Sequence, residues 1–348
     1  MRIEFAGAVC YTFYMDYGKF YLDTVEQTFL SKYAQHTRDT KGRLVPIAPC
    51  PLRTEYQRDR DRIIHCKAFR RLKHKTQVFL SPEGDHYRTR LTHTLEVGQI
   101  ARTMARALRL NEDLTEAMAM GHDLGHTPFG HAGEGVLNKL IEGGFIHSLH
   151  SLRVVDLLEN DGKGLNLTWE VRDGIANHRY FDSPATLEGK ILIYADRFAY
   201  INHDIEDAER AGVLKESDLP KDCLEVLGTS KGVRINNMIT DLVENSYEKG
   251  CIKQSPLFDE MTCKLHEFMF VSVYTNPDAK GEEKKATKML ETLFEHFMKH
   301  PEQMPSFYRS LLESYPRDRV VGDYIASFTD RYAINMFENL FVPKTWKT

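Results

Sequence analysis

The sequence has no long apolar run, no paired cysteines and no low-complexity tract. No stretch of 18 apolar residues occurs among its 348 residues, which excludes a hydrophobic helix that spans a membrane. The six cysteines show neither a CxxC pair nor regular spacing, so reduced thiols in a cytoplasmic protein are expected. No repeat at a solenoid period is present. A signal peptide is not expected, because Glu4 interrupts the mildly apolar start and Arg2 is its one basic residue.

The charge balance argues against a protein that binds polyanions over its whole surface. The net charge is -4, with 28% charged and 42% hydrophobic residues, as in an ordinary globular protein. Local basic clusters still occur, as in the segment RDRDRIIHCKAFRRL (58–72). No basic run is interleaved with aromatic residues, so nothing in the sequence itself argues for binding to single-stranded DNA.

Apolar residues recur at helical spacing along most of the chain. From Thr92 onward they include Leu95, Val97, Ile100 and Met104, and helical patterns also occur near 54–72, 147–160, 168–178, 187–212, 233–247, 257–270, 283–299 and 304–314. Alternation of the strand type does not extend beyond four or five residues. The pattern predicts an all-α protein, in which 75–80 (KTQVFL) is the one candidate for a small β-hairpin. The stretch 276–285 (NPDAKGEEKK) is the most linker-like.

Histidines and carboxylates concentrate between residues 90 and 134, where four of the 15 histidines lie. His93 stands near the start of one predicted helix, and the pair His122–Asp123 near the end of the next. If these helices pack antiparallel, the three side chains converge. Asp196 lies among apolar residues of a later helix, where a buried carboxylate is costly unless it is paired or bound to a metal. Imidazole and carboxylate are ligands of divalent metals, so the four residues predict a metal site.

This H…HD…D pattern resembles that of the HD-domain superfamily of metal-dependent phosphohydrolases. Longer blocks, among them RTRLTHTLEVGQIARTMARAL, GHDLGHTPFGHAGE and LEGKILIYADRFAYINHDIEDA, resemble the dGTPase-like deoxynucleoside triphosphate triphosphohydrolases. The resemblance covers roughly 53–213 and 320–333. It implies an HD-domain helical bundle with additional C-terminal helices. We therefore expect an N-terminal leader and packing segment (1–52), an HD catalytic domain (53–213) and a C-terminal helical region that completes the pocket (214–348).

The resemblance also implies the reaction, in which a dNTP is cleaved into a deoxynucleoside and inorganic triphosphate. His131 and Glu134 are three residues apart at a helix start, so their side chains share a face and can form a hydrogen bond. A carboxylate that orients a histidine is the usual arrangement for proton transfer. The matching positions form a catalytic pair in the family. His126 matches a histidine that is catalytic or binds phosphate in some members.

Substrate contacts follow from the same resemblance. Arg90 precedes His93 by three residues and is expected to hold a phosphate. His147 matches a histidine near the triphosphate, and Arg197 a residue that binds phosphate. Tyr200 and Asp204 follow the last metal ligand by four and eight residues; the resemblance places both at the sugar, with Tyr200 leaving little room for a 2′-hydroxyl.

The cofactor and partners are also expectations. Two histidines and two carboxylates suit Mn or Mg, and Fe, Ni or Zn also fit such a set. The resemblance implies a homo-oligomer, a hexamer built from dimers, and some relatives bind a regulatory nucleotide or single-stranded DNA. Two other functions stay open: another HD-type activity, as a nucleotidase or phosphodiesterase, and a regulatory dNTP-binding protein with low turnover.

Overall fold

The structure, a computed structural model, describes residues 21–77, 88–274 and 277–344. Within these ranges the regular structure is helical, which confirms the all-α prediction. The main helices in chain order are α1 (Glu55–His65), α2 (Lys67–Arg71), α3 (Arg90–Ala107), α4 (Glu112–Gly121), α5 (Gly130–Leu140), α6 (His147–Arg153), α7 (Trp169–Ala176), α8 (Leu187–Arg210), α9 (Lys221–Leu227), α10 (Lys231–Ser246), α11 (Pro256–Met269), α12 (Pro277–Lys299), α13 (Ser306–Leu311), α14 (Arg317–Ala326) and α15 (Asp330–Phe341). Shorter helical segments are Tyr21–Glu26, Gln27–Phe29, Thr37–Asp39, Leu72–His74, Val154–Leu158, Glu159–Gly162, Glu216–Asp218, Phe270–Tyr274 and Pro301–Gln303.

Contacts of the β type are confined, in the described ranges, to two isolated antiparallel bridges. One joins Arg43 to Thr168 and the other joins Thr76 to Thr89. The second bridge lies at the position of the hairpin predicted over 75–80, but residues 78–80 fall outside the described ranges. What the structure describes of this segment is therefore one bridge and no named strand.

Polar caps determine where the helices that carry the site begin. The Thr89 side chain accepts from Thr92 N, so α3 begins at Arg90 and has Arg90 and His93 in its first turn. Asn111 caps α4 in the same way by accepting from Leu114 N at 3.1 Å. These caps fix the helix ends from which the candidate ligands project.

The helices enclose two apolar cores. The larger core unites α1, α3, α4, α7 and α8, and residues such as Leu265 of α11 extend it into the C-terminal region. The second core joins Leu137 of α5 to Leu290, Val321 and Phe328 of the C-terminal region. Helix α5 therefore packs on C-terminal helices, although it follows the His122–Asp123 pair directly in sequence.

Three details of the helix prediction are wrong. The segment 54–72 forms two helices, because Cys66 adopts an extended conformation (ψ 162°) and its sulfur accepts from Phe69 N. The linker-like stretch 276–285 lies from Pro277 onward in α12. Leu95 is 51% exposed, although its spacing assigns it to the apolar side of α3. Among the described residues, no helix combines the length and the apolar character needed to cross a membrane.

Candidate metal centre and the cavity around it

Four side chains from three helices meet at one point. His93 projects from α3 and Asp196 from α8, while His122 and Asp123 directly follow α4. His93 Nε2 lies 3.0 Å from Asp196 Oδ1, and His122 Nε2 lies 3.8 Å from the same oxygen. His122 Nε2 is also 3.5 Å from Asp123 Oδ1. The structure brings together all four residues that the sequence suggested as ligands.

The orientation of His122 fits a metal ligand. Its Nδ1 donates to Ala119 O at 2.7 Å, so its Nε2 carries the lone pair. That nitrogen is buried and has no hydrogen-bond partner in the part of the chain that the structure describes. Leaving it unpaired is costly, whereas a divalent cation binds such a nitrogen at about 2.1 Å. Ligand atoms of His93, His122 and Asp123 all lie within 4.8 Å of one another, so one ion can reach them.

Two further side chains contact the carboxylate of Asp123. Arg90 Nη1 donates to its Oδ2 at 2.9 Å, and His126 Nε2 lies 3.1 Å from its Oδ1. Burial acts to raise the pKa of Asp123, but its interactions with His126, His122 and Arg90 outweigh burial and hold that pKa well below its ordinary value. The group is therefore a carboxylate, the form in which it can bind a cation.

Glu134 contacts two histidines, whereas the sequence predicted His131 as its one partner. Its Oε1 accepts from His147 N at 2.8 Å and lies 3.0 Å from His147 Nδ1, while its Oε2 is 3.5 Å from His131 Nδ1. His131 is 83% exposed, and the ring of His147 stacks on His126 with centroids 4.1 Å apart. Burial acts to raise the pKa of Glu134, yet its bonds to both histidines bring it well below its ordinary value.

His178 lies beside His147 and His122, and sequence reasoning did not identify it as a site residue. It follows α7, where its Nδ1 donates to Ile175 O at 2.7 Å and its Nε2 lies 3.2 Å from His147 Nε2. Its ring centroid is 5.1 Å from that of His122. Burial, together with the charges of His122 and His147, lowers the pKa of His178 to about 4. Its place at the end of a predicted helix near 168–178 is the one sequence signal that could have suggested it.

A cavity of about 590 Å³ is lined by three of the four candidate ligands, His93, Asp123 and Asp196. This volume is within the range of pockets that hold nucleotide-sized ligands. All five predicted substrate contacts line it, as do His126, His131 and several residues that sequence reasoning did not identify: Thr76, Gln77, His178, Arg179, Tyr180, His266, Phe270 and Val273. Glu134 lies behind the lining and acts on the cavity through the two histidines that it holds. Helix α11 and the segment Phe270–Tyr274 supply one wall, so the C-terminal region contributes to the pocket.

Arg197 is held in the cavity wall by contacts on several sides. Its side chain is 4% exposed and its guanidinium lies 4.0 Å from the ring centroid of Tyr180. Its Nη2 is 3.1 Å from Cys263 Sγ, and its Nη1 is 3.7 Å from Asp259. A guanidinium held in this way presents a fixed set of N–H donors, which suits a phosphate group.

Tyr200 and Asp204 follow Asp196 by one and two turns of α8, and both reach the cavity. The ring of Tyr200 meets that of His266 edge to face, with centroids 5.6 Å apart. Burial, followed by the charge of Asp196, raises the pKa of Tyr200, so its hydroxyl keeps its proton. Asp204 is buried. One face of α8 therefore carries a candidate metal ligand and two further polar groups into the same space.

Comparison with known proteins identifies the family. The HD domain family model matches residues 90–201, and a phosphohydrolase-associated domain matches residues 252–339. A crystal structure of a phosphohydrolase from Bacteroides thetaiotaomicron has a similar fold. Its TM-score is 0.50 at 16% sequence identity, with 80% of this chain and 68% of that chain covered.

Two curated relatives match nearly the whole chain. A deoxyguanosinetriphosphate triphosphohydrolase-like protein of Caldanaerobacter subterraneus subsp. tengcongensis is 57% identical, covering 93% of this chain and 96% of its own. A protein of the same name from Desulfatibacillum aliphaticivorans is 49% identical, with 91% and 96% covered. The chain therefore belongs to the HD-domain phosphohydrolases, in the family of the deoxyguanosinetriphosphate triphosphohydrolase-like proteins.

Proposed function

We propose that this protein hydrolyses deoxynucleoside triphosphates, dGTP or several dNTPs, to a deoxynucleoside and inorganic triphosphate in the presence of a divalent metal. The observation that carries the proposal is the position of the four candidate ligands beneath a cavity lined by Arg90 and Arg197. The names of the relatives agree with it. A homo-oligomeric state, the cytoplasmic location and the domain boundaries at 53 and 214 stay predictions.

His93, His122, Asp123 and Asp196 would hold the cation. When bound, such an ion neutralises charge on a phosphate and lowers the pKa of water. Manganese or magnesium is our first expectation, and iron, nickel or zinc also suits two imidazoles and two carboxylates. The buried and unpaired Nε2 of His122 supports the assignment.

The phosphates would be held by groups that surround the candidate centre. Arg90 already bonds Asp123 through Nη1, and its Nε is buried without a hydrogen-bond partner in the described ranges. Arg197 lies on the neighbouring face of α8. His147 is within reach of both Asp123 and His126. These groups can bind a triphosphate with its α-phosphorus close to the metal centre.

The reaction forms a P–O bond from water at the α-phosphorus and breaks the P–O5′ bond, so the leaving oxygen must gain a proton. Glu134 can orient His131 and His147 for this transfer. His126 stacks on His147 and lines the cavity, so it can contact the reacting phosphate. At the other end of the substrate, Tyr200 and Asp204 would contact the deoxyribose, with Asp204 accepting from the 3′-hydroxyl.

Product analysis tests the proposal directly. Purified protein is incubated with each of the four dNTPs and four NTPs, with Mn²⁺ or Mg²⁺, and the products are separated by chromatography. We expect deoxynucleoside and triphosphate in equal amounts from at least one dNTP. Release of pyrophosphate or orthophosphate alone, or no product from any substrate, would contradict the proposal. The same assay is run with nucleoside monophosphates and cyclic nucleotides, and activity on these substrates alone would indicate the other HD-type activity instead.

A further inference from the structure

The loop between the metal ligands and α5 holds a conformation that its own sequence does not favour. Phe129 has φ 61° and ψ 26°, in the left-handed region, where a residue with a bulky side chain is strained. Such strain persists only where surrounding contacts impose it. This loop follows His126 and leads into His131, so its shape decides where both imidazoles lie.

A buried carboxylate from the C-terminal region imposes this conformation. Asp330, the first residue of α15, accepts from Phe129 N through Oδ1 at 3.0 Å. Its Oδ2 accepts from Thr76 N at 3.0 Å and from Thr76 Oγ1 at 2.6 Å. Thr76 and Phe129 both line the cavity from different segments. One carboxylate thus joins two parts of the cavity wall that are far apart in sequence.

A neighbouring lysine ties the same loop to the same C-terminal segment. Lys75 Nζ is buried and donates to His126 O and, at 2.8 Å, to Ala326 O. Lys75 O accepts from Arg90 N at 3.1 Å, at the start of α3. The loop is therefore held at both ends, at His126 by Lys75 and at Phe129 by Asp330.

We propose that Asp330 is a positioning residue for the proposed hydrolysis: it fixes the 126–131 loop so that His126 and His131 face the substrate. This inference rests on the proposed function. On this proposal the 320–333 segment contributes to the reaction as well as to the packing of the second core. Asp330 touches neither the candidate metal ligands nor the substrate cavity itself, so its effect would be transmitted through the loop.

Asp318 offers a matched control. Its Oδ2 accepts from Glu142 N at 2.7 Å, just beyond the opposite end of α5, and thereby joins the same helix to α14. Like Asp330 it accepts from a backbone N–H next to α5 and links it to a C-terminal helix, but through one bond and away from the cavity. A variant of Asp318 measures what the loss of such a bond does to stability alone.

The experiment compares Asp330→Asn and Asp318→Asn in the full chain. Asparagine keeps one acceptor oxygen and has an NH2 donor in place of the other, so it cannot accept from both Phe129 N and Thr76 N. We therefore expect faster amide exchange in the 126–130 peptide and a kcat about 10- to 100-fold lower, with bound metal unchanged. KM should change by less than about 3-fold, since the phosphate-binding arginines are untouched. Asp318→Asn should leave both exchange in this peptide and kcat as in the unaltered protein.

Equal effects of the two variants on kcat, or unchanged exchange in the 126–130 peptide of Asp330→Asn, would overturn the inference. If Asp330→Asn does not fold, Thr76→Val removes the 2.6 Å hydroxyl bond alone and should lower kcat in the same direction, by about 3-fold. No fall in kcat there would equally overturn it. A protein without any dNTP hydrolysis refutes the proposed function, whereas the exchange measurement still decides whether Asp330 holds the loop.

Discussion

At the scale of single residues, the structure assigns Glu134 a wider part than the sequence did. The spacing to His131 predicted one partner, but the carboxylate also accepts from the backbone and the ring of His147. His131 is largely exposed, whereas His147 is mostly buried and stacks on His126. Proton transfer in the proposed reaction therefore involves a group of histidines organised by one carboxylate.

Replacing Glu134 by glutamine tests this arrangement. The amide keeps the shape but loses the charge that orients both imidazoles, so we expect kcat to fall by about 100-fold or more. Bound metal should stay at the level of the unaltered protein, because Glu134 is not among the candidate ligands. Steady-state kinetics and metal analysis by atomic emission provide both values. Glu142→Gln, at an exposed position beyond the end of α5, is the control; a similar loss there would contradict the role of Glu134.

Tyr200 is expected to discriminate the sugar by its ring rather than by its hydroxyl. The ring lies one turn from Asp196 and packs against the ring of His266. This contact limits how far the ring can move away from a 2′-hydroxyl. Tyr200→Ala should raise the ratio of GTP to dGTP turnover about 10-fold by opening space. Tyr200→Phe retains the ring and should retain the discrimination. Equal ratios in the alanine variant and the unaltered protein would show that another residue excludes ribonucleotides.

At the scale of helices, the sequence predicted the features that depend on residues close together in the chain. Apolar spacing predicted a helix from Thr92 onward, close to the observed start of α3 at Arg90, and a helix near 187–212, where α8 lies. The break at Cys66 was not predictable, because it depends partly on Glu159, whose carboxylate accepts from Lys67 N and Ala68 N. That contact joins residues about ninety positions apart.

The same limit applies to the candidate site. His93, His122, Asp123 and Asp196 were recognisable because each lies in a motif with a known spacing. His178 lies in no such motif, and its relation to His147 depends on how α6 and α7 pack. The resemblance implied that the C-terminal region completes the pocket, but it did not identify α11 as the helix that forms the wall, since the 215–315 region resembles the family least. The sequence therefore predicted the candidate metal ligands, whereas the contacts around them depend on how distant helices pack.

Helix α5 provides a matched pair of glycines for a prediction at this scale. A Cβ added at Gly133 would overlap Pro128 O and lie 2.7 Å from Thr127 Oγ1, whereas nothing lies within 4 Å of a Cβ at Gly135. Gly133→Ala should therefore destabilise the protein by about 1–3 kcal/mol. Gly135→Ala should stabilise it by about 0.5–1 kcal/mol, since alanine favours helix. Thermal melts of both variants give the comparison; equal shifts in melting temperature would mean that the loop yields to the added methyl group.

At the scale of the whole molecule, the candidate metal centre joins parts of the chain that are distant in sequence. His93 and Asp196 lie 103 positions apart, on α3 and α8, and the pair that follows α4 lies between them. These helices also form much of the larger apolar core. A cation bound here would link the same helices that the core already joins. Because the unfolded chain cannot bring the four ligands together, binding should favour the folded state alone.

Because of this link, removing the metal should lower the free energy of unfolding by a measurable amount. At a free Mn²⁺ concentration 100 times its Kd, binding contributes about 2.7 kcal/mol to the folded state. For a chain of 348 residues each kcal/mol raises the melting temperature by roughly 1–2 °C, so a shift of about 3–5 °C is expected. Chelation with EDTA should abolish the shift and added Mn²⁺ should restore it. His122→Ala loses one buried ligand and should melt at the same temperature with and without Mn²⁺, whereas His131→Ala should keep the shift and lose turnover. If the His122 variant is still stabilised as strongly as the unaltered protein, the cation binds elsewhere, and the four residues are not its site.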